Sequence, residues 1–270
     1  MSYFDNILFL EHDHGQKKQG VEDVAFFIKP VLQKSLNIIE LKRKENIVKS
    51  LNYIYEHCLK YNNRSLFIGG DHSISIATIK AVYEENMKII WIDAHADINT
   101  MEASVTKNVH GMPLSFLTGL EENFLKCPGR EDIIVPFENI AYFGIRSIDE
   151  FEENLIKEKN IKVINHNNNI EDIENELNEF IGDSPIHISF DVDVLDPEFM
   201  QCTGTREPGG ISLELLLNFF DILKKYNLNS MDIVEFNHMQ GKNREEFTTS
   251  LKSLLSVMQK FKILSTSITD

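Results

Sequence analysis

The chain has 270 residues, of which 42% are hydrophobic, and a formal net charge of −15. This length suffices for a substantial core, and α/β folds of this size commonly form one unit, so we expect a single domain over residues 1–270. The negative charge and the lack of a basic stripe argue against a nucleic-acid partner and favour a small-molecule one.

The cysteines and the start of the chain bear on the cellular compartment. Cys58, Cys127 and Cys202 have neither CxxC spacing nor a Cys/His zinc pattern, which argues against a disulfide scaffold and indicates a reducing compartment. The first residues carry no basic leader segment, and no apolar run approaches the ~18 residues of a spanning helix. We therefore expect a cytoplasmic protein with no membrane partner.

Short runs rich in β-branched and aromatic residues alternate along the chain with stretches of helical spacing. The predicted strands are residues 7–10, 38–41, 66–68, 89–92, 140–144, 161–164, 186–190 and 233–236. The predicted helices are residues 42–61, 74–85, 170–180, 213–226 and 245–261, with 114–125 as a helix candidate inside the irregular stretch 100–138. Asparagines at 62–63 and 167–169 predict turns. This alternation predicts an α/β fold in three αβα layers around a central, mostly parallel sheet.

Two acidic clusters each follow an apolar run. Asp93, His95 and Asp97 form the first, and Asp191 and Asp193 form the second. Because successive side chains of a strand point to opposite faces, residues two apart would point the same way. Four carboxylates in one small volume repel one another unless cations neutralise them, and two divalent ions would balance four charges. The pattern predicts a site for two metal ions if the two strand ends are neighbours.

A third motif, Gly-Gly-Asp-His-Ser at residues 69–73, follows a predicted strand and would bring His72 to the same edge of the sheet. Together with Asp-Ala-His-Ala-Asp at 93–97 and Ser-Phe-Asp-Val-Asp-Val-Leu-Asp-Pro at 189–197, it resembles the ureohydrolase family, whose three signature motifs occur in this order. The resemblance also extends over residues 15–22, 204–210 and 232–235. It implies an arginase-deacetylase-like fold and a hydrolase acting on a guanidino compound.

Within the family, the chain is most similar to arginase. Residues 97–100 and 108–113 resemble the arginase substrate loop, whereas Glu-Pro-Gly-Gly at 207–210 resembles agmatinase. The resemblance therefore implies conversion of L-arginine to L-ornithine and urea. The alternatives are an agmatinase or another guanidino-compound ureohydrolase and, from a different class, a non-catalytic arginase-like binding protein. The resemblance also leads us to expect a homo-oligomer, of an order that the sequence does not specify.

The resemblance also implies the metal ligands. One Mn²⁺ would be held by His72 and Asp97 and a second by His95 and Asp193, with Asp93 and Asp191 bridging the two. Four carboxylates and two imidazoles form a hard, oxygen-rich donor set, which independently suits Mn²⁺ better than thiolate-containing zinc sites do. A hydroxide bridging the two ions would then attack the guanidinium carbon.

The resemblance assigns the remaining site residues by role. Glu235 would receive the guanidinium N–H groups, His110 would carry a proton to the departing amine, and Asp97 would also hold the hydroxide. The substrate-binding residues would be Asn99, Thr106 and Asn108 at the α-carboxylate, Asp149 and Glu152 at the α-amino group, and Thr205. Lys107 stands where arginases usually have glycine, so it would either strengthen carboxylate binding or obstruct it.

Several polar residues near these motifs are expected to be structural. Asp71 would cap the following helix, and Asp196 before Pro197 would fix a turn. The histidines without a matching partner are expected to be surface or hydrogen-bonded core residues; these are His12, His14, His57, His166, His187 and His238.

Overall fold

The computed structural model describes residues 2–61, 64–122, 124–127, 130 and 133–265. Within these residues one eight-stranded sheet has the order β2-β1-β3-β8-β7-β4-β5-β6, and every neighbouring pair is parallel. The strands are β1 (Asn6–Leu10), β2 (Asn37–Leu41), β3 (Ser65–Ile68), β4 (Lys88–Ile92), β5 (Ile140–Phe143), β6 (Lys162–Ile164), β7 (Pro185–Asp191) and β8 (Asn227–Val234). The predicted α/β class with a mostly parallel central sheet is confirmed.

The helices of the described residues lie between these strands. They are α1 (Val24–Ile28), α2 (Ile47–Cys58), α3 (Ile74–Val82), α4 (Pro113–Thr118), α5 (Glu150–Glu158), α6 (Ile170–Ile181), α7 (Leu213–Leu223) and α8 (Arg244–Lys260). Five of them correspond to the predicted helices, α4 lies in the candidate helix at 114–125, and α1 and α5 were not predicted from the sequence. The five residues of α1 leave little room for a periodic signal.

Three predicted boundaries were wrong by five residues or more. The first helix starts at Ile47 rather than at residue 42, because the Asn46 side chain accepts a hydrogen bond from the backbone N–H of Lys49 and caps it there. The helix predicted over 114–125 ends at Thr118, where Gly119 takes a left-handed conformation with φ of 79°. Strand β8 begins six residues before the predicted start. The turn predicted at 62–63 lies outside the described residues.

The sheet separates two apolar layers because alternate strand residues face opposite sides. In β4, Ile90 and Ile92 belong to the layer that also contains apolar residues of α1, α6, α7 and α8. Ile89 and Trp91 belong to the other layer, with apolar residues of α2, α3, α4 and α5. The result is the predicted αβα arrangement. In the part of the chain that the structure describes, no helix combines the length and apolar character needed to span a membrane.

The strand order places four motif-bearing strands side by side. Strands β3, β8, β7 and β4 are consecutive in the sheet and parallel, so their carboxyl ends lie along one edge. His72 follows β3, Glu235 follows β8, Asp191 ends β7, and Asp93 follows β4. Ligand sites in open parallel sheets commonly lie at this edge, which identifies it as the place to look for function.

Candidate metal centre

The acidic side chains converge through loop geometry and not through strand alternation. Strand β4 ends at Ile92, so the first acidic cluster lies in the loop beyond it, and Asp193 lies in a 3-10 turn after β7. Within each cluster a carboxylate accepts the backbone N–H two residues later: Asp93 Oδ1 that of His95 at 2.7 Å, and Asp191 Oδ1 that of Asp193 at 2.8 Å. The alternation argument was therefore wrong in mechanism.

Three carboxylates surround His72. Its Nδ1 atom lies 2.9 Å from Asp97 Oδ2, 3.0 Å from Asp93 Oδ2 and 3.3 Å from Asp191 Oδ2, and all four side chains are buried. Despite these short separations, Nδ1 makes no hydrogen bond of acceptable geometry. A buried ring nitrogen without a hydrogen bond, facing three carboxylates, is a suitable ligand for a cation.

A second group shares Asp93 with the first. The Oδ1 atom of Asp93 lies 3.4 Å from His95 Nδ1, and Asp193 Oδ2 lies 3.1 Å from the same nitrogen. One oxygen of Asp93 thus faces each histidine, and two sets of three side chains have ligand atoms close enough to hold an ion: His72, Asp93 and Asp97, and Asp93, His95 and Asp193. Asp191 lies beside His72, with the first set. On the far side of the His95 ring, Nε2 lies 3.7 Å from Glu207 Oε1.

The electrostatics of the cluster favour added positive charge. Burial raises the pKa of Asp191, and repulsion from Asp193 and Asp93 raises it further. Burial and the charge of Asp93 raise the pKa of Asp193 to about 7. For His72, burial alone would lower the pKa, but its contacts with Asp191, Asp93 and Asp97 raise it well above the ordinary value. Divalent cations would replace these protons, so the residues present fit a centre of two metal ions.

The ring of His72 is held by a stacked neighbour. The indole ring of Trp91 lies parallel to it, with centroids 4.2 Å apart and an interplanar angle of 7°. Trp91 Nε1 donates a hydrogen bond of 3.1 Å to Asp93 Oδ2, and Ser189 Oγ lies 2.9 Å from His72 Nε2. These contacts fix the imidazole plane before any ion binds.

A cleft of about 470 Å³ opens onto this centre. It is lined by cluster members and by residues of four loops: Gln16, Lys17, Lys18, His95, Asp97, Thr106, Asn108, His110, Gly111, Asp191, Asp193, Thr205 and Glu235. A larger groove of about 860 Å³ beside α1 and β2 is lined by none of the predicted site residues. The smaller cleft is therefore the candidate active site.

Glu235 and His110 form a hydrogen-bonded pair in the cleft. Glu235 is 4% exposed, and its Oε1 atom lies 3.1 Å from His110 Nδ1 and accepts the backbone N–H of His72 at 2.9 Å. Burial would lower the pKa of His110, but the bond to Glu235 raises it to about 9. The same imidazolium holds the pKa of Glu235 below its ordinary value against the opposing effect of burial. The pair is thus ionised at neutral pH.

Of the seven residues predicted to bind substrate, four line the cleft: Thr106, Asn108, Thr205 and Glu235. The side chains of the other three are engaged at the start of α5: Asp149 and Glu152 form a reciprocal capping box, and Asn99 Nδ2 donates to Asp149 Oδ2. Burial raises the pKa of Glu152 to about 7. These three residues therefore support the substrate loop in this conformation and are not among the lining residues.

Lys107 is not among the residues that line the cleft. Its backbone adopts φ of 60°, the left-handed region that favours glycine. Its ammonium group donates to the carbonyl oxygens of Met101 and Glu102 and not to a cleft residue. Lys107 therefore closes the loop onto itself.

Sequence reasoning gave no role to Gln16, which donates a hydrogen bond of 2.7 Å from Nε2 to Glu235 Oε2. Its position depends on Asp71, whose Oδ2 atom accepts the backbone N–H of Gly15 at 2.7 Å. A Cβ atom on Gly15 would collide with Asp71. Asp71 Oδ1 accepts the backbone N–H of Ser73 at 3.0 Å, which supports the predicted cap at the start of α3, while Oδ2 holds the Gly15 loop. The sequence did contain a signal for the role of Gln16, because this residue belongs to a polar run that follows β1 at the same edge of the sheet.

Three other residues that were expected to be structural are Asp196, His12 and His187. Asp196 accepts the backbone N–H groups of Gly209 and Gly210 at 2.9 and 3.1 Å, which fixes the turn that carries Glu207. His12 and His187 are buried and bonded to serine hydroxyls.

Comparison with known proteins identifies the family. The model of the arginase family matches residues 16–258. The arginase of Entamoeba histolytica is 36% identical over 283 residues, covering 88% of this chain and 94% of that protein. The arginase of Coccidioides immitis is 40% identical over 202 residues, covering 68% of this chain and 62% of that protein.

Comparison with solved structures supports the same family. The crystal structure of Entamoeba histolytica arginase in complex with L-ornithine has a TM-score of 0.81 and 31% identity, covering 94% of this chain and 98% of that one. Arginase from Bacillus subtilis has a TM-score of 0.79 and 27% identity, covering 94% and 97%. With a family match over most of its length and relatives that share its whole fold, the chain belongs to the arginase family and is an arginase-type ureohydrolase.

Proposed function

We propose that this ureohydrolase converts L-arginine to L-ornithine and urea with two Mn²⁺ ions. The residues that would hold the ions are His72, Asp93, His95, Asp97, Asp191 and Asp193. One observation carries the proposal: four carboxylates and two imidazoles meet at the end of a cleft that also contains the Glu235–His110 pair. The oxygen-rich donor set favours Mn²⁺ over a thiophilic ion.

The chemistry that two divalent ions supply in such a site is activation of a water molecule near neutral pH. The part played by the chain's own residues follows from charge. Glu235 is a buried carboxylate, so a guanidinium can bind to it in a charge-assisted, bidentate pair. This pairing would orient the guanidinium carbon toward the acidic cluster.

Binding in this way requires a rearrangement around Glu235. A carboxylate offers about four acceptor sites, and three are occupied by donors from Gln16, His72 and His110. A bidentate guanidinium needs two sites, so one donor must leave. The bond from His72 comes from its backbone, and we therefore propose that the side chain of Gln16 or His110 moves aside when substrate enters.

His110 would supply the proton that the departing amine needs. Burial would lower the pKa of His110, but Glu235 raises it to about 9, so the imidazole holds a proton at neutral pH. It lines the same cleft as Glu235, within reach of a bound guanidinium. Transfer of this proton to the amine would let the C–N bond break with a neutral leaving group.

An agmatinase activity remains the second candidate, because Glu-Pro-Gly-Gly at residues 207–210 resembles agmatinase. The carboxylates of Asp149 and Glu152, expected at the substrate α-amino group, are engaged at the start of α5 and do not discriminate, since arginine and agmatine both carry that amine. Thr106 and Asn108 line the cleft and support carboxylate recognition, which only arginine uses. A relative with 31% identity was solved in complex with L-ornithine. These contacts favour arginine.

Urea release after incubation with Mn²⁺ tests the proposal. We expect a higher kcat/KM for L-arginine than for agmatine, and two manganese ions per chain by elemental analysis. A preference for agmatine would replace the leading proposal with the second one. Failure to bind metal would reject both.

A further inference from the structure

Asp232, in the middle of the sheet, is a buried carboxylate that forms no ion pair with a lysine or arginine among the described residues. Asp232 of β8 is 0% exposed, and its Oδ2 atom accepts hydrogen bonds from Ser75 Oγ at 2.7 Å and Thr78 Oγ1 at 2.8 Å, both in α3. Its ion-pair contact among the described residues is with His187 Nε2, at 3.4 Å. Burying a carboxylate in this way is costly, so its place in the fold calls for an explanation.

The Asp232 carboxylate is connected to the metal centre by two serines. Ser75 Oγ lies 3.3 Å from Ser189 Oγ, and Ser189 Oγ lies 2.9 Å from His72 Nε2. The members of this relay are buried, from Asp232 to His72. The relay reaches the ring nitrogen opposite to the one that faces the three carboxylates of the centre.

The direction of the hydrogen bonds follows from the acceptor at the end. Ser75 donates its single hydroxyl proton to Asp232 Oδ2, so that proton is not available to Ser189. Ser75 can then only accept from Ser189, and Ser189 in turn can only accept from His72 Nε2. The relay is complete only when His72 carries a proton on Nε2.

We propose that Asp232 is a positioning residue for the metal centre: through Ser75 and Ser189 it keeps the proton of His72 on Nε2 and leaves the Nδ1 lone pair for an ion. The inference rests on the proposed function, which makes His72 a metal ligand. The nitrogen left for an ion is Nδ1, which faces the three carboxylates and has no hydrogen bond. Metal-binding histidines depend on such partners of the second nitrogen, and losing one typically weakens binding by roughly 10- to 100-fold.

The test compares two substitutions that remove one hydroxyl each from the same carboxylate. Ser75→Ala interrupts the relay. Thr78→Val removes the other hydroxyl bond to Asp232 Oδ2 but leaves the relay intact, so it is the matched control. Mn²⁺ is titrated into each metal-free, folded protein by calorimetry, and the melting temperature of each metal-free variant is recorded.

We expect Ser75→Ala to weaken Mn²⁺ binding by about 10-fold or more, and Thr78→Val to stay within about 3-fold of the wild type. Ser75→Thr keeps the hydroxyl, so its Mn²⁺ affinity should lie within about 3-fold of the wild type. Asp232→Asn should weaken Mn²⁺ binding, because the amide can donate a hydrogen bond to Ser75 and so reverse the relay. Equal affinities for Ser75→Ala and Thr78→Val would overturn the inference and leave Asp232 a purely structural group. If the wild type itself binds no Mn²⁺, the proposed function fails instead.

Discussion

Two carboxylates of the cleft are held in an unusual backbone conformation. Asp97 and Glu235 have φ of 49° and 64°, in the left-handed region that L-residues other than asparagine and aspartate rarely occupy. For Glu235, such a conformation costs about 1–2 kcal/mol. Residues kept there by their surroundings are concentrated at functional sites, where the backbone aims the side chain. The position of Glu235 opposite His110 is therefore set by the backbone as well as by hydrogen bonds.

Glu235→Gln tests the guanidinium assignment. The amide has nearly the same shape but no charge, so it loses a charge-assisted pair worth about 1.5–3 kcal/mol, or roughly 10- to 150-fold in kcat/KM on arginine. Manganese content should stay at the wild-type value, because Glu235 belongs to neither metal-binding group. An unchanged kcat/KM would remove Glu235 from substrate binding.

The pair of His110 and Glu235 predicts a pH dependence of stability in the metal-free protein. The folded pKa of His110, about 9, lies above its ordinary value near 6.5. The stabilising contribution is therefore complete below about pH 6.5 and is lost as pH rises through about 9. His110→Asn should lower the melting temperature at pH 6.5 and make little difference at pH 10. Equal melting-temperature losses at the two pH values would show that the pair contributes no such linkage.

At the scale of elements, the loop from Asn99 to Asn108 contributes Thr106 and Asn108 to the lining of the cleft. Its bonds are largely internal: Ser104 N–H donates to Thr100 O, and Lys107 N–H donates to Ser104 Oγ. The Lys107 ammonium group closes the loop by reaching two further carbonyl groups. This side chain offsets the strain of its own left-handed backbone by stabilising the loop that presents Thr106 and Asn108.

Lys107→Gly separates these two effects. Glycine adopts φ of 60° without strain, so the melting temperature should stay within about 2 °C of the wild type despite the greater freedom of the unfolded chain. The loop loses its closing contacts, and ordering it on binding would cost about 0.5–1 kcal/mol, which corresponds to a 2- to 5-fold higher KM for arginine. The KM for agmatine, which has no carboxylate, serves as the control and should not change. A parallel rise for both substrates would place the effect outside the carboxylate end.

The strands were the most predictable elements because runs of β-branched and aromatic residues mark them. The early part of β8 escaped detection because it buries polar residues, among them Ser230 and Asp232, whose hydrogen bonds with His187 and α3 replace apolar packing. The capping box of Asp149 and Glu152 has the spacing of a helix start, yet the family resemblance assigned both residues to substrate. Sequence spacing alone does not distinguish these uses of a carboxylate.

For the molecule as a whole, the parallel sheet explains why motifs distant in sequence could be predicted to form one site. The carboxyl ends of parallel strands share one edge, so His72, Asp93 and Asp191 meet although they are far apart in sequence. The roles of Gln16 and Lys107 could not be predicted in the same way, because they depend on loop conformations that no periodic pattern encodes. The single domain over residues 1–270 and the homo-oligomer stay predictions.

Metal loading should stabilise the whole fold, because the cluster joins the ends of neighbouring strands and carries buried carboxylates. An ion at 100 times its dissociation constant contributes about 2.7 kcal/mol. For a chain of this size, that corresponds to a melting temperature about 5–10 °C higher with Mn²⁺ than after chelation. Asp191→Ala should show a much smaller rise, because it removes a member of the cluster. A melting temperature that does not respond to Mn²⁺ in the wild type would contradict an ion site at the sheet edge.

Trp91 is an intrinsic fluorescent probe of the acidic cluster. It is the one tryptophan of the sequence, and its indole ring lies against the imidazole of His72 while its N–H group contacts Asp93. Fluorescence excited at the red edge of the aromatic absorption band therefore comes from Trp91 alone and reports on the surroundings of His72 and Asp93. Emission intensity should change in step with ion occupancy, so affinity can be followed in dilute solution without labels, and an emission spectrum indifferent to Mn²⁺ would mean that ions bind elsewhere.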